Sequence, residues 1–138
     1  MFSGKRQDWA TPVQLFRHLD AEFHFTLDAA ADPDTATTAA FFSSSDDSLG
    51  HDWHGTVWMN PPYGRKIETW LYHAQVAALH GATVVALVPA RTDTGWWHRR
   101  CMTASEIRFL RGRLCFDDNP RKQAPFPSAI VIFRPPLA

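Results

Sequence analysis

Apolar positions along the chain change period several times, and each change marks an element. Leu15, Phe16 and Leu19 lie at helical spacing behind Thr11-Pro12. A hydroxyl N-cap followed by proline at the first helical position opens a helix, predicted to end near Ala21. Residues 23–27 alternate apolar and polar side chains and end on Asp28, as a half-buried strand does. The Ala-, Thr- and Ser-rich stretch that follows reads as loop with a short helix around residues 35–42. Residues 55–59 form a short β-rich run. Ile67, Trp70, Leu71, Ala74 and Ala78 return to helical spacing, and Gly81 closes that helix. Residues 82–88 are apolar apart from Thr83, the signature of a strand buried on both faces. A helix is predicted over residues 94–103 and strands over 106–110 and 129–134, with 113–116 as a third short strand. Strands alternating with helices predict an α/β fold with a mostly parallel sheet.

The chain has 138 residues, enough for one domain over 1–138 that buries about two-thirds of its unfolded surface. A hydrophobic fraction of 45% with 20% charged residues is that of a globular protein. Residues 82–90 are too short to span a bilayer, and the N-terminus lacks the apolar stretch of a signal peptide, so no membrane association is expected. Cys101 and Cys115 show no metal spacing and read as free thiols in a reducing cytosol. The seven histidines are scattered, and no metal is predicted.

Zero net charge hides an asymmetry that changes this picture. Residues 1–60 carry three basic and nine acidic side chains, and residues 61–138 carry eleven basic and five acidic. Such a split suits a nucleic-acid face on one side. Pairing of the two halves with each other is the alternative, and charge alone does not choose.

At the end of the 55–59 run stands Asn60-Pro61-Pro62-Tyr63. Asn and Pro are common turn formers, which gives the motif a plain reading as a turn. Its place between a strand and a helix is where open α/β sheets hold ligands. The tetrapeptide resembles the catalytic loop of methyltransferases that use S-adenosylmethionine to methylate a planar amino or amide nitrogen. The exocyclic amine of a base is a poor nucleophile because its lone pair is delocalised into the ring. Two oxygens that accept its N–H hydrogens push the nitrogen towards tetrahedral geometry and stabilise the developing positive charge. The resemblance casts the Asn60 side-chain oxygen and the Pro61 carbonyl as those acceptors. Two prolines fix the backbone and offer no competing donor, and Tyr63 is expected to give the target a ring to stack on.

Beyond this loop the chain resembles the compact DNA N6-adenine methyltransferases of phages and prophages, the Dam-like family. The resemblance rests on Asp8-Trp9-Ala10-Thr11-Pro12, the segment from Glu22 to Ala30, Asp46-Asp47-Ser48-Leu49, the Asn60 loop, the segment from Pro89 to Thr94, the segment from Gly112 to Phe116, and Pro125-Phe126-Pro127-Ser128. It implies a compact Rossmann-like methyltransferase fold whose truncated sheet has about five or six strands with flanking helices. It implies S-adenosylmethionine as cofactor and S-adenosylhomocysteine as product. Trp9, Thr11 and Pro12 would line the cofactor pocket. Asp28 would receive the methionine ammonium, with Ala29 and Ala30 standing where larger relatives carry a glycine-rich loop. Asp47, with Leu49 behind it, would accept a hydrogen bond from the cofactor's adenine. Helix or turn capping is the other reading of Asp46 and Asp47.

The stretch from Arg91 to Lys122 mixes arginines with Trp96 and Trp97, which suits phosphate contacts and base stacking. Arg91, Asp93, Trp96, Arg99, Arg100, Arg113, Arg121 and Lys122 are the candidate DNA contacts. Phe116 and Phe126 fit the core better than a base sandwich. No segment is left for a separate target-recognition domain, so specificity would come from short loops or a second subunit in a homodimer, or would be weak. The expected activity is direct transfer of a methyl to a flipped adenine, by a phage- or prophage-encoded enzyme in the bacterial cytoplasm. The rival substrates are a protein glutamine amide and guanine N2 in RNA. The rival class is an inactive cofactor- and DNA-binding protein.

Overall fold

The continuous apolar run becomes the middle of the sheet. The computed structural model describes residues 9–31, 34 and 36–137. Asp8, Asp32 and Thr35, with Lys5 and Arg6 of the charge count, lie outside the described residues. One sheet contains β1 (Leu27–Asp28), β2 (Thr56–Met59), β3 (Thr83–Pro89), β4 (Glu106–Phe109) and β5 (Ser128–Phe133), in the spatial order β1-β2-β3-β5-β4. Val84, Val85, Ala86, Leu87 and Val88 are each 0% exposed, and all six residues of β5 are buried. Both strands are covered on both faces, which is why neither shows alternation.

The mostly parallel sheet expected from the sequence is corrected to a mixed one. β1 pairs with β2 and β2 with β3 in parallel, whereas β5 runs antiparallel to both β3 and β4. Residues 110–127 join β4 to β5 with only a one-turn 3₁₀ helix, Phe116–Asp118. Without a crossover helix, antiparallel pairing is the available geometry. An apolar run signals burial and carries no direction. Because β5 opposes both neighbours, the first four strands share one direction, and their carboxyl ends form a single edge.

Helix α1 (Val13–Phe23) packs Phe16 on Phe25 and Trp58, with ring centroids 5.5 and 5.6 Å apart, and buries Leu19. It starts later than predicted. Pro12 is the capping residue, and neither it nor Thr11 caps with a side chain; the Val13 N–H instead donates to the Asp118 carboxylate. At the other end His24 adopts a left-handed conformation (φ 57°), and the Phe25 N–H donates to Asp20 Oδ1 at 2.9 Å. Phe23 stays helical, so the strand predicted over 23–27 shortens to β1.

The helix predicted around 35–42 does not form in the described part of that stretch. Residues 40–42 lie extended beside β1 instead: the Asp28 N–H donates to Ala40 O, the Phe42 N–H to Asp28 O, and Phe41 bridges Asp28. Two 3₁₀ turns follow, Ser44–Asp46 and Ser48–Gly50. Helix α2 (Ile67–Leu79) buries Ile67, Leu71, Ala74 and Ala78 of the predicted face, leaves Trp70 half-buried and adds Ala77; His80 caps it, and Gly81 (φ 109°) turns the chain just beyond. The helix predicted over 94–103 is shorter and mostly a π-turn, Trp97–Cys101, closed by the Met102 N–H on Trp97 O at 3.1 Å. The third short strand predicted over 113–116 reduces to a bridge between Cys115 and Gln123.

Candidate active site

Asn60 follows β2 at the shared carboxyl edge, and its side chain is held from three directions. Its Nδ2 donates to the Trp9 carbonyl and to Thr11 Oγ1 at 3.1 Å. Its Oδ1 accepts the Tyr63 hydroxyl at 3.0 Å. Spending both amide hydrogens on the 9–11 segment fixes the orientation and leaves the oxygen with one free lone pair. Pro61 is buried, and no N–H among the described residues bonds to its carbonyl. Two acceptors therefore sit on consecutive residues of a chain stiffened by two prolines.

Tyr63 serves this arrangement differently from the expected platform. Its ring is 9% exposed and lies edge-on to Phe126 and Phe116, with centroids 5.8 and 6.4 Å away. Its single hydroxyl hydrogen faces two acceptors, Asn60 Oδ1 and the Leu87 carbonyl at 3.1 Å. Burial pushes the phenol well above its ordinary range, so it stays a donor. Tyr63 also lines a cleft of about 190 Å³ with Gly64, Ile67, Pro89, Arg91 and Trp96. Trp97, next to Trp96, is buried in the core, as are Phe116 and Phe126.

The 9–13 segment is itself clasped by the β4–β5 connection. The Trp9 ring packs on Phe116 and Phe126 at 5.1 and 5.8 Å, and the Asp117 N–H donates to Ala10 O at 3.0 Å. Asp117 and Asp118 both hold positive φ, 57° and 54°, a conformation non-glycine residues adopt at a cost. The bonds to Ala10 and Val13 are what that pair of turns makes.

Asp28, at the end of β1 beside β2, is 3% exposed. Thr37 donates to its Oδ2 through N–H and hydroxyl (3.1 and 2.7 Å), and the Ala30 N–H reaches Oδ1 at 3.3 Å. Burial raises its pKa, opposed by Thr37. No cation among the described residues pairs with it. Ala29 is fully buried, its N–H on Trp58 O. Of the two readings of the acidic pair, capping holds for Asp46, which accepts the Ser43 N–H and hydroxyl at 2.7 and 2.9 Å. Asp47 sits in a left-handed turn with an exposed side chain, and a Cβ at Gly50 would lie 2.5 Å from its Oδ2. Leu49 packs against the core, and the neighbouring Ser48 Oγ is buried without a partner.

The basic candidates divide sharply. Arg99 grips Glu68 with two bonds of 2.7 and 2.8 Å, and Arg100 reaches the same carboxylate at 3.2 Å. The Arg99 hydrogen bond leads in holding Glu68 down at about 2. Lys122 pairs with Asp117. Arg113 and Arg121 are exposed and bind no carboxylate among the described residues; Arg91 lies over the Phe126 ring at 5.4 Å, and Asp93 is exposed nearby. Of the described ion pairs only Arg108–Glu22 joins the acidic and basic halves. Among the described residues, direct pairing between the two halves is therefore limited to that one contact. Asp118, Arg65 and Lys66 escaped the sequence reading, and Arg111 entered it only as part of the arginine-rich stretch from Arg91 to Lys122; adjacency to the Asn60 loop was the available signal for Arg65 and Lys66.

Comparisons against known proteins identify the family. A family model described as DNA N-6-adenine-methyltransferase (Dam) matches residues 2–137. The DNA N-6-adenine-methyltransferase of Escherichia phage T1 is 29% identical over 115 residues, covering 81% of this chain and 48% of the phage protein. The protein YfdM of Escherichia coli strain K12 is 36% identical over 63 residues, 40% of this chain and 69% of that protein. The chain thus spans about half the length of the phage relative it matches. With nearly every residue, and the whole Asn60 loop, inside the family match, the chain belongs to the DNA N-6-adenine-methyltransferase (Dam) family.

Proposed function

We propose that this chain is an S-adenosylmethionine-dependent DNA methyltransferase that modifies the N6 amine of adenine, on a reduced Rossmann-like sheet. The observation that carries this reading is the anchored Asn60 amide, whose NH₂ is spent on Trp9 and Thr11, while its oxygen and the carbonyl of the next residue, Pro61, which no N–H among the described residues engages, remain as acceptors. Those oxygens would accept the two hydrogens of the target amine and stabilise its developing charge. The Tyr63 hydroxyl can turn to the Leu87 carbonyl, leaving Asn60 Oδ1 to the substrate.

The cofactor fits the residues present. A buried Asp28 with no cation partner among the described residues complements an ammonium group, and an exposed Asp47 next to the Ser48 hydroxyl, which bonds to none of the described residues, suits donors of a nucleoside. S-adenosylmethionine, when bound, supplies an electrophilic methyl on a sulfonium. Asp28, Ala29, Ala30, Asp47 and Leu49 would hold it, and Trp9 and Thr11 would serve the site by way of the Asn60 contact.

The test is to incubate unmethylated DNA with labelled S-adenosylmethionine and identify the product nucleoside. N6-methyladenine is expected. Label on protein glutamine or RNA guanine, or none in any substrate, would overturn the reading.

A further inference from the structure

We infer that Arg65, Lys66 and Arg111, together with Arg91, Arg113 and Arg121, form the track that holds the DNA phosphates. The inference rests on the proposed DNA substrate and adds residues and a path to it.

Two independent observations converge. The first is topological. Arg65 and Lys66 directly follow the Asn60 loop and precede α2, Arg91 lies just past the end of β3, and Arg111 and Arg113 just past the end of β4. Since β1 to β4 share a direction, these positions all fall on the edge that carries Asn60. Arg121 belongs to the connection that enters β5 at Ser128, opposite Pro89 on the same edge.

The second observation is electrostatic. All six side chains are exposed, and none pairs with a carboxylate among the described residues. The other cations of the basic half, Arg99, Arg100, Arg108, Lys122 and Arg134, are each bound to an acid. Unpaired like charges gathered on one edge repel one another, and a polyanion relieves that repulsion while releasing its own counterions. The phosphate track therefore runs through the cations nearest the Asn60 loop, and Arg99 and Arg100 are structural ties to α2.

The experiment measures equilibrium binding of a short unmethylated duplex across a salt series, without cofactor or turnover. Arg65→Gln/Lys66→Gln and Arg111→Gln/Arg113→Gln should each flatten the slope of log K against log salt by about 1.8 units, about 0.9 for each phosphate no longer neutralised. Arg99→Gln/Arg100→Gln should keep the wild-type slope. Wild-type slopes in both track variants, or flattening confined to the Arg99/Arg100 variant, would overturn the track, as would a wild-type chain with no affinity for the duplex. A preference for single-stranded RNA over the duplex at equal salt would overturn it too. A wild-type chain that binds with the expected slopes but transfers no methyl defeats the reading of the reaction and leaves the track standing.

Discussion

The Asp118 carboxylate accepts the first free N–H of α1, at Val13, across a sequence separation of 105 positions. It completes a helix start that no local side chain caps, and it faces the positive end of the helix dipole. Asp118→Ala should cost about 0.5–2 kcal/mol of stability, the range for a lost N-cap. Asp118→Asn should recover most of it. Because Trp9 and Thr11 precede α1 and hold Asn60, the alanine variant should also lower kcat more than it raises KM. Thermal unfolding and steady-state kinetics on the same preparations check both; equal stability in the two variants would remove the cap.

Asn60→Ala should leave cofactor affinity near wild type and reduce turnover by on the order of 10²–10³, as removal of one preorganised dipole does elsewhere. Tyr63→Phe keeps the buried ring and removes one donor, so turnover should fall only about five- to tenfold, an ordinary hydrogen bond of about 1 kcal/mol. Calorimetry separates the binding arm from the kinetic one. A Tyr63→Phe effect as large as that of Asn60→Ala would mean the hydroxyl itself acts on the substrate rather than only orienting Asn60.

Burial raises the Asp28 pKa above its ordinary 3.8. For an acid shifted this way, the folded state holds the proton more tightly than the unfolded one. The stability it contributes is complete below 3.8 and declines as pH rises through the folded-state value. Thr37→Val removes the hydroxyl that favours the charged form and should move the titration further upward. Saturating S-adenosylmethionine should pull it down, if its ammonium meets this carboxylate. Carboxyl NMR titration follows the residue directly, and a midpoint indifferent to cofactor would take Asp28 out of the binding site.

Glu68 occupies two guanidiniums at once. Held down at about 2 by Arg99 first and Arg100 after it, this carboxylate lends stability above its unfolded value of 4.5 and loses it as pH falls towards 2. Glu68→Gln should therefore flatten the acid limb of the stability profile. It should also free Arg99 and Arg100, raising DNA affinity at low salt and steepening the salt slope. Unchanged affinity would show that those side chains stand too far from the duplex to reach it.

What could be read in advance was contiguous in the chain. β3 and α2 announced themselves because burial on two faces or one leaves an unbroken or a periodic apolar pattern. The Asn60 loop was legible because its chemistry sits in four neighbouring residues. Long-range relationships were not: the cap on α1 comes from Asp118 rather than from Thr11, whose hydroxyl accepts a hydrogen bond from Asn60. The sorting of arginines into tied and free depends on where Glu68 and Glu106 lie in space, which composition does not encode.

The placement of β5 has a consequence for how the chain comes to exist. Among the described residues, the last of the five strands in sequence is inserted between β3 and β4, and it is the only strand with which β4 pairs. On a ribosome, β3 and β4 emerge with that slot empty. One flank of β3, all of whose ladder partners there come from β5, stays open until residues 128–133 arrive. Assembly should therefore be a late event that joins distant parts of the chain, with a slow non-local step. Until then the nascent protein exposes apolar strand edges, the surface that chaperones recognise and that aggregates grow from.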